Sequence, residues 1–520
     1  MKRRLLLLAL FVAVALLTRA PFLRVPCLDL DEAAQLLGAQ ALLRGGTPYL
    51  DVADNRPPLL YAWYALGQAL LGAGLPGVRL LTAALVLPLT AFAASAFYRH
   101  DGRGASAGLL YLVYGAAFLA HDMHSASPEV LMTLPVAAAV VLLREEAEAR
   151  VAWRLAAAGA LVGFGVLLRQ QAALALPALA FAAWTAPPAD APPLPRRAGL
   201  PLRLVALGLG FSVPLALGWA WFAARGAAGA LLFWTLVHNL RYAANPIPAG
   251  EALERAASYL APFLLVTAPL WWAAARSRGR FGSPHRERLV LALLACSLPS
   301  AFVGLRFFPH YFVQLYLPLA LAAAPWTAEA LASPASRAGR LAAAWALVAL
   351  AGFTAANAWL YSGRAHVYQE TAPVFGHVAG RLRQDPCYGS GPLFVWGFAP
   401  QLYVESGLSP ASRFVVPQAS LTGYVPGNRA SRAQDFDARS LVREEHWELL
   451  MQDLARRPPA FVLDTAPAGL HGWSRYPLRD FPRLAAFVKG GYDAVAIVDG
   501  VWVWRRRGCA ATAARPAPSG

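Results

Sequence analysis

Long apolar runs recur along most of the chain, separated by short polar stretches. A bilayer span needs about 20 mostly apolar residues, fewer where a helix is short or broken. The runs predict spans near 5–20, 78–97, 107–120, 129–143, 155–168, 172–184, 204–224, 257–275, 288–305, 311–332 and 340–360, about eleven transmembrane helices. Arg169-Gln170-Gln171 interrupts one long run and divides it into the spans 155–168 and 172–184. The start, MKRRLLLLALFVAVALLTRA, has the pattern of a signal peptide, but no convincing cleavage site follows. It is read as an uncleaved first helix with Met1–Arg4 in the cytoplasm.

Charge tests this assignment. With the N-terminus inside, the cytoplasmic loops are 98–106, 144–154, 185–203, 276–287 and 333–339, and each carries arginine. The opposite loop 121–128 has neither Lys nor Arg. That alternation follows the positive-inside rule, and the odd number of spans puts residues beyond 361 outside the cytoplasm. The first outer loop, 21–77, holds two helix-like pieces. DEAAQLLGAQALLRGG begins with acids, which suit a helix N-terminus, and ends in glycines, which stop one. PPLLYAWYALGQALLGAG has an apolar stretch too short for a span, and counting it as one would invert every later loop. It is expected to lie along the membrane surface.

Beyond residue 361 the pattern changes. Strand-like runs occur at 392–398, 460–465 and 493–506, with helical patterns around 366–384 and 443–457. Residues 361–508 are therefore expected to form a soluble extracytoplasmic α/β domain. The end, 509–520, is rich in small residues and proline and is expected to be disordered. The domain plan is a transmembrane catalytic domain over 1–360, the α/β domain, and this tail. There is no internal repeat of the kind that marks transporters built from two halves.

Composition agrees: 58% of the 520 residues are hydrophobic and 14% charged, where a soluble domain averages roughly a quarter charged. The net charge of +17 lies mostly between the apolar runs and forms no basic stripe with interleaved aromatics, so nucleic acid is not an expected partner; membrane lipids are. The four cysteines, Cys27, Cys296, Cys387 and Cys509, are far apart and form no metal-type pair. A Cys387–Cys509 disulfide is one possibility and unpaired thiols the other.

The candidate chemistry lies in the outer segments. Asp29, Asp31 and Glu32 follow the first span, and Glu129 opens the fourth, directly after Pro128. Each of these acids has an ordinary use as a helix cap. Two carboxylates on one outer face also supply a general base and a group that orients an acceptor. Arg56 precedes Pro57-Pro58, with Tyr61 close behind. Arg169 sits in the break between two short spans, where a charge is costly unless it faces a cavity. Arg306-Phe307-Phe308-Pro309-His310-Tyr311 joins spans nine and ten. An interfacial Arg that snorkels and an aromatic belt are the plain alternatives. Together, acids and cations on one face suit a phosphate-bearing substrate delivered from the bilayer. His121, Asp122 and His124 lie near Glu129 and raise the question of a divalent cation, but they are no closed ligand set, so no metal site and no cofactor is assigned.

The series LDEAAQLLGAQALLRGGTPYLDVADNRPPLLYAWYALG, SASPEVLMTLPV, GFGVLLRQQAAL and RFFPHYFVQLYLP resembles the GT-C superfamily of integral-membrane glycosyltransferases, in particular the bacterial members related to protein O-mannosyltransferases and to the lipid A aminoarabinose transferase. The likeness runs over about residues 1–360. It implies inverting transfer of a sugar from a polyprenyl-phosphate donor to a lipid, protein or glycan acceptor at the extracytoplasmic face of a bacterial inner membrane. By carry-over Asp31 is the catalytic base and Glu32 its support. Glu129 matches a family carboxylate that is usually Asp. Arg56 and Arg169 stand where the family usually has Lys, replacing a point charge with a planar fork. Arg306, His310 and Tyr311 match a segment lining the donor cavity. Two other functions use similar residues. A transporter or flippase of lipid-linked sugars needs the cations but no base. An oligosaccharide-transferring enzyme of the same architecture would be expected to carry a Trp-Trp-Asp motif, whereas Trp271-Trp272 is followed by Ala273.

Overall fold

The computed structural model describes residues 1–117, 120–186, 199–244, 247–332, 373–417, 419–425 and 441–509, with scattered positions between 337 and 355. The expected span at 340–360 and the tail at 509–520 lie largely outside the described residues.

The first helices are α1 (Lys2–Arg19), α2 (Leu30–Leu43), α3 (Pro58–Leu71), α4 (Leu75–Leu81), α5 (Leu87–Phe97), α6 (Gly102–Ala117), α7 (Ala120–His124) and α8 (Pro128–Leu142). There follow α9 (Ala152–Leu168), α10 (Ala175–Thr185), α11 (Leu200–Ala223), α12 (Ala228–Leu232), α13 (His238–Ala244), α14 (Ala249–Arg255), α15 (Ala261–Arg276), α16 (Pro284–Ser297) and α17 (Val313–Ala332). The C-terminal part contains α18 (Pro373–Arg383), β1 (Leu393–Trp396), α19 (Gln401–Ser406), α20 (Ala419–Thr422), α21 (Glu444–Arg456), β2 (Phe461–Asp464), α22 (Pro482–Gly491), β3 (Tyr492–Val498) and β4 (Val501–Arg506). Each of the first ten apolar runs contains or forms part of a helix. Among the described residues six helical stretches are long and apolar enough to cross a membrane: Lys2–Phe22, Leu75–Phe97, Leu200–Ala223, Ala249–Arg276, Pro284–Leu305 and Pro309–Ala332. α8 and α9 are apolar but shorter. The protein is a polytopic α-helical membrane protein with a small C-terminal sheet.

The chain forms two compact units. One comprises residues 1–25, 56–228 and 243–362; the other comprises 26–55, 229–242 and 363–520. The core of the first, helical unit is rich in alanine, with Ala15, Ala91, Ala107, Ala137, Ala158 and Ala178 all buried. Leu6, Leu17, Leu209 and Leu217 are largely exposed, as suits a surface whose solvent is hydrocarbon. In such a medium, helices associate through small residues that let backbones meet. α9 and α11 do this. A Cβ built on Gly210 would stand 1.9 Å from the Ala156 carbonyl oxygen, and one on Gly159 2.1 Å from that of Leu207. Gly208 has nothing within 4 Å of such a Cβ. Gly210→Ala is therefore expected to cost about 1–3 kcal/mol through overpacking and to lower the unfolding midpoint in detergent, while Gly208→Ala leaves it unchanged or raises it; equal midpoints for the two variants would refute the close crossing. At the end of α1, the buried Arg79 donates to the carbonyls of Phe22 (3.1 Å), Leu23 (3.5 Å) and Val25, fixing the chain as it leaves the first span.

The second unit is built on the sheet order β1-β2-β4-β3. β1 and β2 are parallel, with Leu393 opposite Phe461; β4 runs antiparallel to both β2 and β3. β3 and β4 are joined through Asp499-Gly500, both at positive φ (46° and 84°), the conformation a two-residue Asp-Gly hairpin turn needs. Leu393, Val395, Phe461, Leu463, Val501 and Val503 form one buried face. That core also takes in Val378 and Leu382 of α18, and Ala34, Leu37 and Ala41 of α2. Phe233, Trp234 and Phe414 surround His446 at ring distances of 5.3, 5.3 and 5.5 Å. Burial, and then the nearby Arg443, push this imidazole down to about 4, so it is neutral at physiological pH. Cys387 and Cys509 are joined by a disulfide; Cys27 and Cys296 form none.

Candidate active site

The acids that follow the first span divide by role in the second unit. Asp29 is the N-cap of α2: its backbone is extended (φ −144°, ψ 140°) and its carboxylate accepts from the Asp31 N–H at 3.2 Å. Glu32, three residues on and 1% exposed, reaches back to accept from the Leu28 N–H at 3.1 Å. Asp29 satisfies a backbone donor that the helix start leaves open, and Glu32, in the first turn, ties the residue before the cap back onto the helix. Asp31 occupies the second helical position and stays partly exposed. The Asn55 side-chain amide donates to Asn239 Oδ1, and Asn239 Nδ2 donates to the Asn55 carbonyl, both at 2.9 Å. This amide pair fixes the residue immediately before Arg56.

In the first unit, Glu129 sits in the first turn of α8, behind the N-cap Ser127 and Pro128. Arg169 ends α9 in an extended conformation (φ −154°, ψ 127°) before the 3-10 turn Gln170–Leu174. The Arg169 Nη2 lies 2.8 Å from Glu129 Oε1, with the carboxylate side chain 3% exposed. Arg169 Nε donates to Gln171 Oε1 at 3.1 Å. The helix break thus turns a cation inward onto a buried acid, and the glutamine behind it sets the plane of the guanidinium.

The segment between α16 and α17 is the most strained backbone nearby. Gly304, Leu305 and Phe307 all have positive φ (61°, 52° and 47°). Such conformations in non-glycine residues cost free energy and gather where function needs them. Arg306 is 1% exposed and Tyr311 5%. The Tyr311 phenol feels the charges of Arg169, Arg306, Glu129 and Arg56, so the structure brings these sequence-predicted residues into one neighbourhood. His310 Nδ1 is 3.6 Å from Asp122 Oδ1, and its ring stacks on Phe308. Tyr61 is fully buried on α3, its hydroxyl 3.5 Å from the Arg56 carbonyl.

No protein-family description and no curated protein sequence matches the chain. Solved structures do. ArnT from Cupriavidus metallidurans, in the apo state, is similar over 95% of this chain and 97% of its own, with a TM-score of 0.56 and 17% identity. The archaeal oligosaccharyltransferase AglB from Archaeoglobus fulgidus, solved with an inhibitory peptide and a dolichol-phosphate, is similar over 97% of this chain and 74% of its own, with a TM-score of 0.50 and 12% identity. The chain has the GT-C fold. At such identities the likeness speaks for architecture, and what the GT-C scaffold does here rests on its own side chains.

Of the residues expected from the sequence, Asp31 and Glu32 lie in the second unit, and Arg56, Tyr61, Glu129, Arg169, Arg306, His310 and Tyr311 in the first. Sequence reasoning missed the supports: Gln171 behind Arg169, Asn239 beside Asn55, and Glu251 with Arg255 behind Arg306. Only Gln171 carried a signal, its place in the Arg-Gln-Gln break. Among the described residues there is no group of three or more His, Cys, Asp or Glu side chains able to hold a metal ion. Asp122 pairs with His310, and the His124 Nε2 lies 3.0 Å from the Ala116 carbonyl; the side chain of His121 lies outside the described residues.

Proposed function

We propose that this GT-C protein transfers a sugar from a polyprenyl-phosphate-linked donor to a hydroxyl acceptor (lipid, protein or glycan) at the extracytoplasmic face of a bacterial inner membrane. The observation that carries the proposal is the buried Glu129–Arg169 pair, set at a helix break, together with Arg306 and Arg56 acting on the same tyrosine. Cations gathered in a bilayer-spanning unit are costly unless an anion uses them. A phosphate attached to a lipid chain is an anion that reaches such a place laterally. The dolichol-phosphate bound to AglB, on the same fold, supports this choice of ligand.

In this reading Asp31 accepts the proton of the acceptor hydroxyl as its oxygen attacks the anomeric carbon. The bond to the phosphate oxygen breaks, and that oxygen leaves with the electron pair, so the configuration inverts. Asp29 and Glu32 hold the start of α2 and thereby the base. The departing lipid phosphate gains negative charge, and Arg56, Arg169 and Arg306 stabilise it through charge-assisted hydrogen bonds where water is scarce. Glu129 holds Arg169 in place. His310 and Tyr311 line the donor site, and Tyr61 backs Arg56. The extracytoplasmic placement of residues 363–509 accords with a Cys387–Cys509 disulfide, since such bonds persist in oxidising compartments.

Purified protein in lipid nanodiscs, supplied with radiolabelled polyprenyl-phosphate sugars and envelope lipid or glycan acceptors, is expected to move label from the donor to an acceptor with release of polyprenyl phosphate. Movement of intact donor across a sealed vesicle, with no bond broken, would replace this function with that of a flippase.

A further inference from the structure

We infer that Glu251 and Arg255 are positioning residues that lock the strained Gly304–Tyr311 segment, and with it Arg306 and Tyr311, into the geometry that receives a lipid phosphate. The inference rests on the proposed function and extends it to two residues outside the candidate site.

Arg255 ends α14, and its donors are committed. Nε and Nη2 donate to Glu251 Oε1 at 3.0 and 2.8 Å, one helical turn back. Nη1 donates to the Arg306 carbonyl at 3.4 Å. The guanidinium carbon lies 5.1 Å from the centre of the Phe308 ring. Both side chains of the ion pair are nearly buried, 11% exposed for Arg255 and 5% for Glu251. A guanidinium held on one side by a carboxylate and engaging a backbone carbonyl and an aromatic face on the other is a strut between a helix and a loop. Lysine cannot copy it, because a single ammonium lacks the planar fork.

The loop needs such a strut. Three of the four residues Gly304 to Phe307 have positive φ, two of them non-glycine, and a strained backbone persists only when its surroundings over-determine it. The Arg306 carbonyl that Arg255 holds lies between the two strained non-glycine residues. The helix is also shaped to deliver the strut. Directly after Arg255 comes a π-turn, Ala256–Leu260, before α15 continues. The extra residue in that turn re-phases the helix. Glu251 and Arg255 therefore meet the loop, while Phe263, Val266 and Leu270 beyond the turn still enter the hydrophobic core. A uniform helix would bring one set or the other out of register.

The test uses the full chain in nanodiscs and a C55 polyprenyl phosphate as probe, measuring affinity and thermal midpoint together. Arg255→Lys and Glu251→Gln are each expected to weaken binding by about tenfold or more, in line with the cost of a small misplacement of a binding group, and the double variant by little more than either single one, because the two act as a unit. Gly210→Ala, remote from the loop, is the control: it lowers the midpoint but leaves affinity unchanged. If the wild type binds the probe and both single variants bind it equally well, the positioning role is overturned. The same holds if every loss of affinity follows loss of midpoint along the line that Gly210→Ala defines. Failure of the wild type to bind any polyprenyl phosphate overturns the function proposed above, and this inference with it.

Discussion

Asp31→Asn is expected to lower the rate of sugar transfer by about 10²–10⁴-fold, the usual contribution of a positioned general base, with expression, thermal midpoint and lipid-phosphate affinity unchanged. Three acids compete for the role, and the structure separates them. The Asp29 carboxylate accepts the Asp31 N–H and Glu32 accepts the Leu28 N–H, so both hold the start of a helix. Asp31, at the second helical position, contributes its backbone N–H to the cap, and asparagine preserves that bond. Asp29→Ala removes a cap and is expected to cost about 1 kcal/mol of stability while transfer continues. Glu32→Gln retains a side-chain oxygen able to accept from the Leu28 N–H and is expected to be mild in both respects. Transfer assays and thermal unfolding on the three variants together decide the assignment: near-normal turnover by Asp31→Asn, or a collapse confined to Glu32→Gln, would move the base elsewhere.

The second large effect is expected at Arg169. Removing one partner of a buried ion pair strands the other, at a cost of about 3–5 kcal/mol, and the Glu129 side chain is only 3% exposed. Arg169→Ala should therefore both destabilise the helical unit and weaken donor binding. The two consequences are separable. In the double variant Arg169→Ala with Glu129→Gln no buried charge is left alone, so most of the lost stability should return while the lost affinity for lipid phosphate does not. Arg169→Lys should retain more affinity than Arg169→Ala, since it keeps the charge and loses the fork. Recovery of both stability and affinity in the double variant would make the pair a purely structural one.

Much of the membrane architecture was legible in the sequence because its signal is simple: about 20 apolar residues satisfy a bilayer wherever they occur, and the break at Arg169 was marked by three consecutive polar side chains. The strand-like runs at 392–398, 460–465 and 493–506 were legible for a similar reason, as short β-branched and aromatic runs, though the division of the last at Asp499-Gly500 into β3 and β4 was not. What could not be read was long-range pairing. Arg255 and Arg306 lie far apart in the chain, and the strain at Leu305 and Phe307 has no local marker, since neither is a residue that favours positive φ. Glu251 stands in the first turn of α14, and nothing near it in the sequence names Arg306 as its distant beneficiary. The capping role of Asp29 was visible in the local order of residues; that of Glu32 was overshadowed by its neighbour, because a D-x-x-E pattern fits both a cap and a catalytic pair.

The packing of α2 also sets a limit on how the molecule can be made. Ala34, Leu37 and Ala41 share a core with Leu393, Phe461 and Val503, so the helix bearing the proposed base belongs to a unit whose strands emerge from the ribosome long after it. During synthesis α2 must wait without its partners while the intervening spans are inserted. A truncated chain would present Asp31 on an unsupported helix. Synthesis through β4 thus becomes a condition for the proposed activity, and a graft of the C-terminal domain between related enzymes would have to carry residues 26–55 and 229–242 along with it.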